Sequence, residues 1–294
     1  MTEVIRIHGQ RLGRRPPSNA PALRLGSLLN EIPEHPNAVF RTNNFNLWDI
    51  LGNDRYGDCG PVSVANSRRL TSFVLTGEER YPRLWDVLDL YQRSGNPNFP
   101  AEDNGVIMQD MLSEVHKNGI AGDKAVAYAK VDVSSIDEIR AAIAIFGCLL
   151  LGVNLEAAQQ DQRTWDSVDG DQPWGGHAVM AADYTSAPSG ADIGFITWGQ
   201  PMGMTDRFWS RQVEEAWVVI WPEHLLSKEF LEGVDLAALR RDYKLLTGRD
   251  LPVPTPPKPA PTPPVPEPKS DEALLKLLKK IYKEIGTFLK KHGL

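Results

Sequence analysis

The chain has 294 residues, a hydrophobic content of 41% and a net charge of −6. This size and composition are sufficient for a large folded core, and the acidic balance argues against nucleic acid as a partner. Two cysteines are too few for a disulfide scaffold. The N-terminus has no apolar signal region and no apolar run approaches the roughly 18 residues of a membrane span. We therefore expect cytoplasmic synthesis without a signal peptide. No phosphate-binding Gly-rich loop or metal-ligand spacing occurs, so neither a cofactor nor a metal is predicted.

The first segment, residues 1–45, is rich in arginine and proline. Its prolines block long helices, so the sequence predicts an extended N-terminal arm. The arm carries a basic cluster, Arg11, Arg14, Arg15 and Arg24. Such a cluster is either a solvated tail or a contact for an acidic partner.

Residues 46–247 alternate helical and strand patterns and form the predicted main domain. Helices are expected near 59–76, 81–93, 104–118 and 135–146, and strands at 148–155, 176–184, 192–198 and 215–221. Helices that come first, followed by strands of antiparallel type, predict an α+β domain.

The C-terminal part divides into a linker and a helix. About half of the positions in "LPVPTPPKPAPTPPVPEPK" are proline, which predicts a stiff spacer within 248–269, roughly 60 Å long if fully extended. Residues 270–294 have an N-cap serine, acids in the first turn and lysines in the last, which is typical of a helix. Its apolar residues repeat at coiled-coil spacing on one broad stripe.

Something must cover that stripe, because an isolated helix of this length is marginal in water. The alternatives are self-association, docking into a partner's groove, and a basic helix lying on an anionic membrane. The helix lacks tryptophan and follows a long stiff spacer, which disfavours the membrane. We predict a homo-oligomer, with a trimer favoured, or docking to an assembly.

A candidate nucleophile lies in "NDRYGDCGPVSVAN", where Cys59 begins a predicted helix. Gly57 and Gly60 permit close approach, Pro61 suits a first helical turn, and a helix N-terminus stabilises a thiolate. Asn53, six residues upstream, offers an amide that could bind an oxyanion. The alternative is a buried structural thiol.

A candidate base lies in "WGGHAVMAADY", where His177 begins an apolar strand. With "NDRYGDCG" before it, the helix and strand of "IDEIRAAIAIFGCLLLGVNL", and "ITWG" after it, the chain resembles the papain-like cysteine peptidases over roughly residues 45–225. The "DCGP" element is similar to the peptidase domains of bacteriocin exporters. The whole pattern also resembles uncharacterised papain-like proteins of actinobacteria and their bacteriophages. The resemblance implies a papain-like fold, with Cys59 as nucleophile, His177 as proton carrier and Asn53 as oxyanion donor.

Two positions depart from the family pattern. Asn53 stands where the family usually has glutamine. Ile196 stands where the family has the asparagine that orients the imidazole, and an aliphatic side chain cannot do so. Thr197 and Asp192 are the expected substitutes, and Asp183 is a poorer one.

Two functions remain open from the sequence. One is an active cysteine hydrolase that cleaves peptide, isopeptide or cell-wall amide bonds. The other, which we expect slightly more strongly, is a papain-like component of a larger assembly, such as a phage virion protein, with residual hydrolase activity. The missing asparagine and the two terminal segments favour assembly, while the retained Cys59, His177 and Asn53 favour the enzyme.

Overall fold

The computed structural model describes residues 9–31, 34–185 and 192–252. These residues belong to the first of two compact units, Met1–Pro254 and Thr255–Leu294. The predicted spacer beyond residue 252 and the predicted helix of 270–294 lie outside the described residues, as do residues 1–8, 32–33 and 186–191.

The described ranges contain seven α-helices and eight strands. The helices are α1 Cys59–Thr76, α2 Leu84–Arg93, α3 Met108–Lys117, α4 Ile136–Phe146, α5 Asp206–Gln212, α6 Lys228–Gly233 and α7 Leu236–Thr247. The strands are β1 Leu23–Arg24, β2 Ala127–Val131, β3 Leu149–Glu156, β4 Thr164–Trp165, β5 Pro173–Tyr184, β6 Ile193–Thr197, β7 Gln200–Met204 and β8 Val213–Ile220. No helix within these ranges is long and apolar enough to cross a membrane.

The helix boundaries follow from local chemistry. The side chain of Ser135 accepts a hydrogen bond from the backbone N–H of Glu138, which caps the start of α4. Helix α1 ends at Gly77, which adopts the left-handed conformation with φ 75° that glycine tolerates best. Helix α3 begins at Met108, four residues later than predicted, because Val106 is held in a bridge to Arg14.

The strands form one eight-stranded sheet in the order β1-β2-β8-β3-β5-β6-β7-β4. The central pairs are antiparallel, and only the outermost pairs, β1 with β2 and β4 with β7, are parallel. The predicted α+β class with an antiparallel sheet is confirmed.

Both faces of the sheet are buried, and successive strand residues alternate between them. In β3, for example, Leu149 and Leu151 join one apolar cluster with α4 and α7, while Leu150 joins a second cluster with α1 to α3. The second cluster also contains Cys59, so the candidate nucleophile lies where the helical layer meets the sheet.

The N-terminal segment differs from the extended arm predicted for residues 1–45. Strand β1 pairs with β2, and Leu25 and Leu28 are buried in the core. The apolar residues of "PALRLGSLL" supply this packing. The prediction of an extended arm was based on the proline content and did not take these residues into account. From residue 9 to 31 and from 34 onward, the segment is part of the folded domain.

Candidate active site

Cys59 is the first residue of α1, and the fold buries it. Its exposed fraction is 1%. A helix N-terminus favours a thiolate, and backbone N–H groups of Ala178, Gly13 and Gly60 also approach the sulfur. Burial outweighs these donors and raises the pKa of the Cys59 thiol to about 12. In this structure the side chain is therefore a neutral thiol at pH 7.

His177 lies on β5 and is held from one side. Its Nε2 is 2.7 Å from Oγ1 of Thr197, and its ring stacks on Trp198 with centroids 4.4 Å apart. The other ring nitrogen, Nδ1, is buried without a hydrogen-bond partner. Burial, helped by the charge of Arg14, lowers the pKa of His177 to about 3. The imidazole is thus neutral and has one nitrogen available.

The two side chains are not joined directly. Among the described residues, no hydrogen bond links the sulfur of Cys59 to the ring of His177. Instead, the N–H of Ala178, the residue after His177, approaches the sulfur. The structure therefore brings the strand of His177 to Cys59 with both groups uncharged.

Thr197, and neither of the alternatives, contacts the imidazole. Asp192 binds Arg140 and Thr185, and Asp183 binds the backbone of Arg41 and Thr42. Ile196 packs in the cluster beneath α1. Because neighbouring strand residues face opposite sides of a sheet, Thr197 is turned the other way from Ile196 and reaches His177.

Asn53 is buried beside the nucleophile loop, with its amide fully engaged. Its Nδ2 donates to the backbone oxygens of Tyr56, at 3.0 Å, and Arg11, at 3.2 Å. The oxygen of Arg11 also accepts from Trp198 Nε1. The amide expected to stabilise an oxyanion thus already holds a carbonyl group from the N-terminal segment.

Residues 11–15 lie between the loop before Cys59 and the strand of His177, and we call them the cleft segment. The N–H of Arg14 donates to the oxygen of Gly176, and the segment forms a parallel bridge with Val106. Gly13 is pressed against the nucleophile loop, since a Cβ there would lie 1.8 Å from the oxygen of Gly57. A chain in extended conformation therefore lies over Cys59.

The sequence predicts that Arg14 lies in a solvated tail or contacts an acidic partner. The surroundings of its side chain in the structure correspond to neither prediction. Its side chain is buried and paired with Glu214 and Glu215 of the same chain. The acidic residues come from β8, some 200 positions later, so the sequence alone gave no signal for this pairing. Arg11 and Arg15 of the same cluster are exposed.

Asp58, immediately before Cys59, is a second buried ionisable group that sequence reasoning missed. Neither carboxyl oxygen makes a hydrogen bond of normal geometry, although the amide of Asn53 lies close enough to favour the charged form in part. Burial, with the nearby charges of Asp103 and Asp54, raises its pKa to about 8. Among the described residues no group of acidic, histidine or cysteine side chains could hold a metal ion.

Comparison with known proteins identifies the fold. No family model matches the chain, and no curated protein matches it. Among solved structures, it resembles xylellain, a cysteine protease from Xylella fastidiosa, with a TM-score of 0.58 and 16% identity over 75% of this chain and 99% of that one. It also resembles procathepsin B S9 from Trypanosoma congolense, with a TM-score of 0.53 and 10% identity over 73% of this chain and 86% of that one.

A third similar structure is the proform of the ragweed pollen cysteine protease Amb a 11, with a TM-score of 0.52 and 12% identity over 65% of this chain and 67% of that one. At these identities the likeness concerns the fold alone. The chain has a papain-like fold.

Proposed function

We propose that this protein is a cysteine hydrolase that cleaves peptide or related amide bonds, and that its cleft segment holds it latent. One observation carries the proposal: a cysteine at a helix N-terminus is approached by the backbone of Ala178, the residue that follows a histidine whose Nε2 is bound by Thr197 and whose Nδ1 is unpartnered. This is the set of groups that thiol-based acyl transfer needs.

The proposed reaction begins when His177 Nδ1 takes the proton of Cys59. The sulfur then attacks the substrate carbonyl carbon, and the resulting oxyanion accepts hydrogen bonds from Asn53 Nδ2 and the backbone N–H of Cys59. His177 returns the proton to the leaving amine as the C–N bond breaks, which leaves a thioester. Water, deprotonated by His177, hydrolyses the thioester and releases the carboxylic acid and the free thiol.

The latency follows from the cleft segment. It engages the amide of Asn53 and contributes to the burial that keeps Cys59 and His177 neutral. Departure of the segment would let water reach both groups, and the pKa of Cys59 would fall while that of His177 would rise. Two of the similar structures are named as pro forms, which supports this proposal for the present chain.

The test uses the full chain and releases the segment after folding. A recognition site for a specific protease is inserted between Asn19 and Ala20, which are both exposed. A Gly13→Ala change is added to weaken the hold of the segment, and the cut chain is freed of residues 1–19 by gel filtration. We call this product the released chain, and its loss of the segment is verified by mass spectrometry.

The assay is hydrolysis of fluorescein-labelled casein. We expect the released chain to hydrolyse casein at least about tenfold faster than the intact chain. A bound segment favoured over the displaced one by only about 1.4 kcal/mol already gives that factor. Cys59→Ser should abolish hydrolysis, whereas the matched control Cys148→Ser should retain it. Hydrolysis that survives Cys59→Ser, or a released chain in which Cys59 reacts with iodoacetamide but casein is not cleaved, would count against the hydrolase.

The assembly role predicted from the sequence depends on residues 270–294. We retain it as a further proposal: a papain-like domain joined to a larger particle, of which a virion is one example. Support comes only from the sequence pattern of that segment, and the two functions are compatible in one chain.

A further inference from the structure

We propose that the cleft binds its substrate through an arginine side chain, received by the pocket that Arg14 now fills. The inference rests on the proposed hydrolase, whose substrate class it specifies. The pocket is formed by Gly152 and Asn154 on β3 and by Glu214 and Glu215 on β8, and we call it the acidic pocket.

The guanidinium of Arg14 donates hydrogen bonds to side chains of both β3 and β8. Its Nη1 donates to Glu215 Oε1 at 3.1 Å, and its Nη2 donates to Asn154 Oδ1 and Glu214 Oε2, each at 2.5 Å. The exposed fraction of the Arg14 side chain is 1%. A planar fork of donors fits this set of acceptors better than the single ammonium of lysine.

The floor of the pocket requires a glycine. A Cβ added at Gly152 would lie 2.7 Å from Cδ of Arg14 and 2.6 Å from Cγ of Glu215. Any other residue would fill the space that the arginine side chain occupies. The pocket therefore depends on the residues of β3 as well as on the carboxylates.

The carboxylates of the acidic pocket favour a cationic side chain as its occupant. Two carboxylates face one guanidinium, and Glu215 is fully buried, with Oε2 bound by Trp217 Nε1 at 2.7 Å. Once the cleft segment leaves, no other cationic side chain of the described residues pairs with Glu215, and an unpaired buried carboxylate is unfavourable. A substrate with an arginine restores the pair, while a neutral side chain of the same shape does not.

The backbone of the cleft segment connects the pocket to the reacting atoms. The N–H of Gly13 approaches the sulfur of Cys59, and Arg14 is the next residue, bound to the oxygen of Gly176 immediately before His177. A substrate strand in the same groove would place its pocket residue beside the bond to be cleaved. The pocket therefore selects a residue close to the scissile bond.

The first experiment uses peptides that differ at one position. Residues 9–18 of this chain are synthesised with arginine, lysine, citrulline or alanine at the position of Arg14, and their binding to the released chain carrying Cys59→Ala is measured by calorimetry. Citrulline keeps the shape of arginine and removes its charge. We expect arginine to bind at least about thirtyfold more tightly than citrulline, the lower end of the loss for truncating one partner of a buried charged pair.

In the second experiment the released chain hydrolyses peptide mixtures that carry arginine, lysine, citrulline or alanine near the scissile bond, and kcat/KM is measured for each. Arginine should give the highest kcat/KM. Glu215→Gln should reduce the preference for arginine over citrulline by roughly tenfold, and Glu214→Gln, whose side chain is 39% exposed, by less. Glu34→Gln, at an exposed position, is the charge-matched control and should change nothing.

The outcomes separate the two proposals. Equal binding and equal hydrolysis of arginine and citrulline peptides would overturn the acidic pocket and leave the hydrolase standing. An arginine preference in binding without hydrolysis of any peptide would support the pocket and overturn the hydrolase. The peptide series on the unaltered pocket decides the question even if a glutamate variant fails to fold.

Discussion

A threonine takes the place from which an amide orients the imidazole in the family pattern. Its hydroxyl can accept a hydrogen bond from Nε2–H of His177, which leaves Nδ1 unprotonated and able to serve as the base of the proposed reaction. The stack on Trp198 fixes the plane of the imidazole. The hydroxyl then needs to fix only the rotation of the ring within that plane and its tautomer. We therefore propose Thr197 as a positioning residue of the proposed hydrolase.

Replacement of Thr197 by valine tests this role. The change conserves shape and removes the hydroxyl, so kcat of the released chain should fall by roughly 10- to 100-fold while KM stays nearly constant, because orientation matters to proton transfer and not to substrate binding. Thr197→Ser keeps the oxygen and should restore most of the rate. A serine variant as slow as the valine variant would show that packing, not the hydrogen bond, is required.

Asp58 gives a prediction about stability. Its pKa in the folded state is about 8, above the 3.8 of an ordinary aspartate, so the folded chain binds more protons than the unfolded chain between these values. The free energy of unfolding contributed by this group therefore decreases as pH rises from about 4 to about 8 and is constant above that range. Asp58→Asn should stabilise the protein more at pH 9 than at pH 5.

The measurement is urea unfolding of both chains at the two pH values. Asp49→Asn, at an exposed position, is the matched control and should show no such difference. If the two variants respond to pH alike, Asp58 is not a buried acid that resists ionisation.

The sequence could indicate some site residues and not others, for a physical reason. Cys59, His177 and Asn53 lie in short stretches whose glycines and helix or strand starts are visible locally, and Thr197 follows from its neighbours in "ITWG". Arg14 depends on partners 140 to 201 residues away, and Asp58 on burial from every side. Such long-range pairing and burial are set by the tertiary fold, and local patterns do not encode them.

The cleft segment acts as an element held by backbone contacts, and Gly13 is its tightest point. A methyl group there would lie 1.8 Å from the oxygen of Gly57 and near other backbone atoms, which cannot yield as a flexible side chain can. Gly13→Ala should therefore displace the segment. Overpacking of this kind costs ~1–3 kcal/mol, so iodoacetamide should label Cys59 of the intact chain roughly tenfold faster or more.

The control is Arg15→Ala, which truncates an exposed side chain of the same segment and should leave labelling unchanged. Thermal unfolding of each variant distinguishes local displacement from global loss of structure. Unaltered labelling in a normally stable Gly13→Ala chain would mean that the segment does not control access to Cys59.

Among the elements, the sequence predicts some and misses others, and length alone does not separate them, since the missed α7 has 12 residues and the predicted α2 has 10. The four predicted helices correspond to α1 to α4, and the four predicted strands to β3, β5, β6 and β8. Strands β1, β2, β4 and β7 and helices α5 to α7 were missed. Two-residue strands such as β1 form only because a neighbouring strand is already in place, and their sequence carries no period of its own.

At the scale of the whole molecule, the first and last parts of the sheet come from distant parts of the chain. Strand β8 lies between β2 and β3, and β1 from the N-terminal segment extends the edge beyond β2. The cleft segment is therefore anchored on one end by a strand of the core, through Leu23 and Arg24 paired with β2. A segment tethered in this way stays at high local concentration near the groove, which favours occupancy even when its contacts are weakened.

The last prediction concerns residues 270–294, outside the described residues. Their apolar positions repeat with the spacing of a coiled coil, and the stripe is broader than a two-stranded seam requires. Because a helix of this length gains most of its stability by burying such a stripe, we expect the full chain to self-associate, with a trimer favoured, and a chain ending at Pro252 to be monomeric.

Replacing Leu278 and Ile281, both on the stripe, by lysine should reproduce the monomer, whereas replacing Lys279 and Lys280 by glutamine should not. Sedimentation equilibrium measures the mass directly. A full-length monomer that binds anionic vesicles would replace the oligomer with a membrane-surface helix, and a full-length monomer that binds neither would leave docking to a partner.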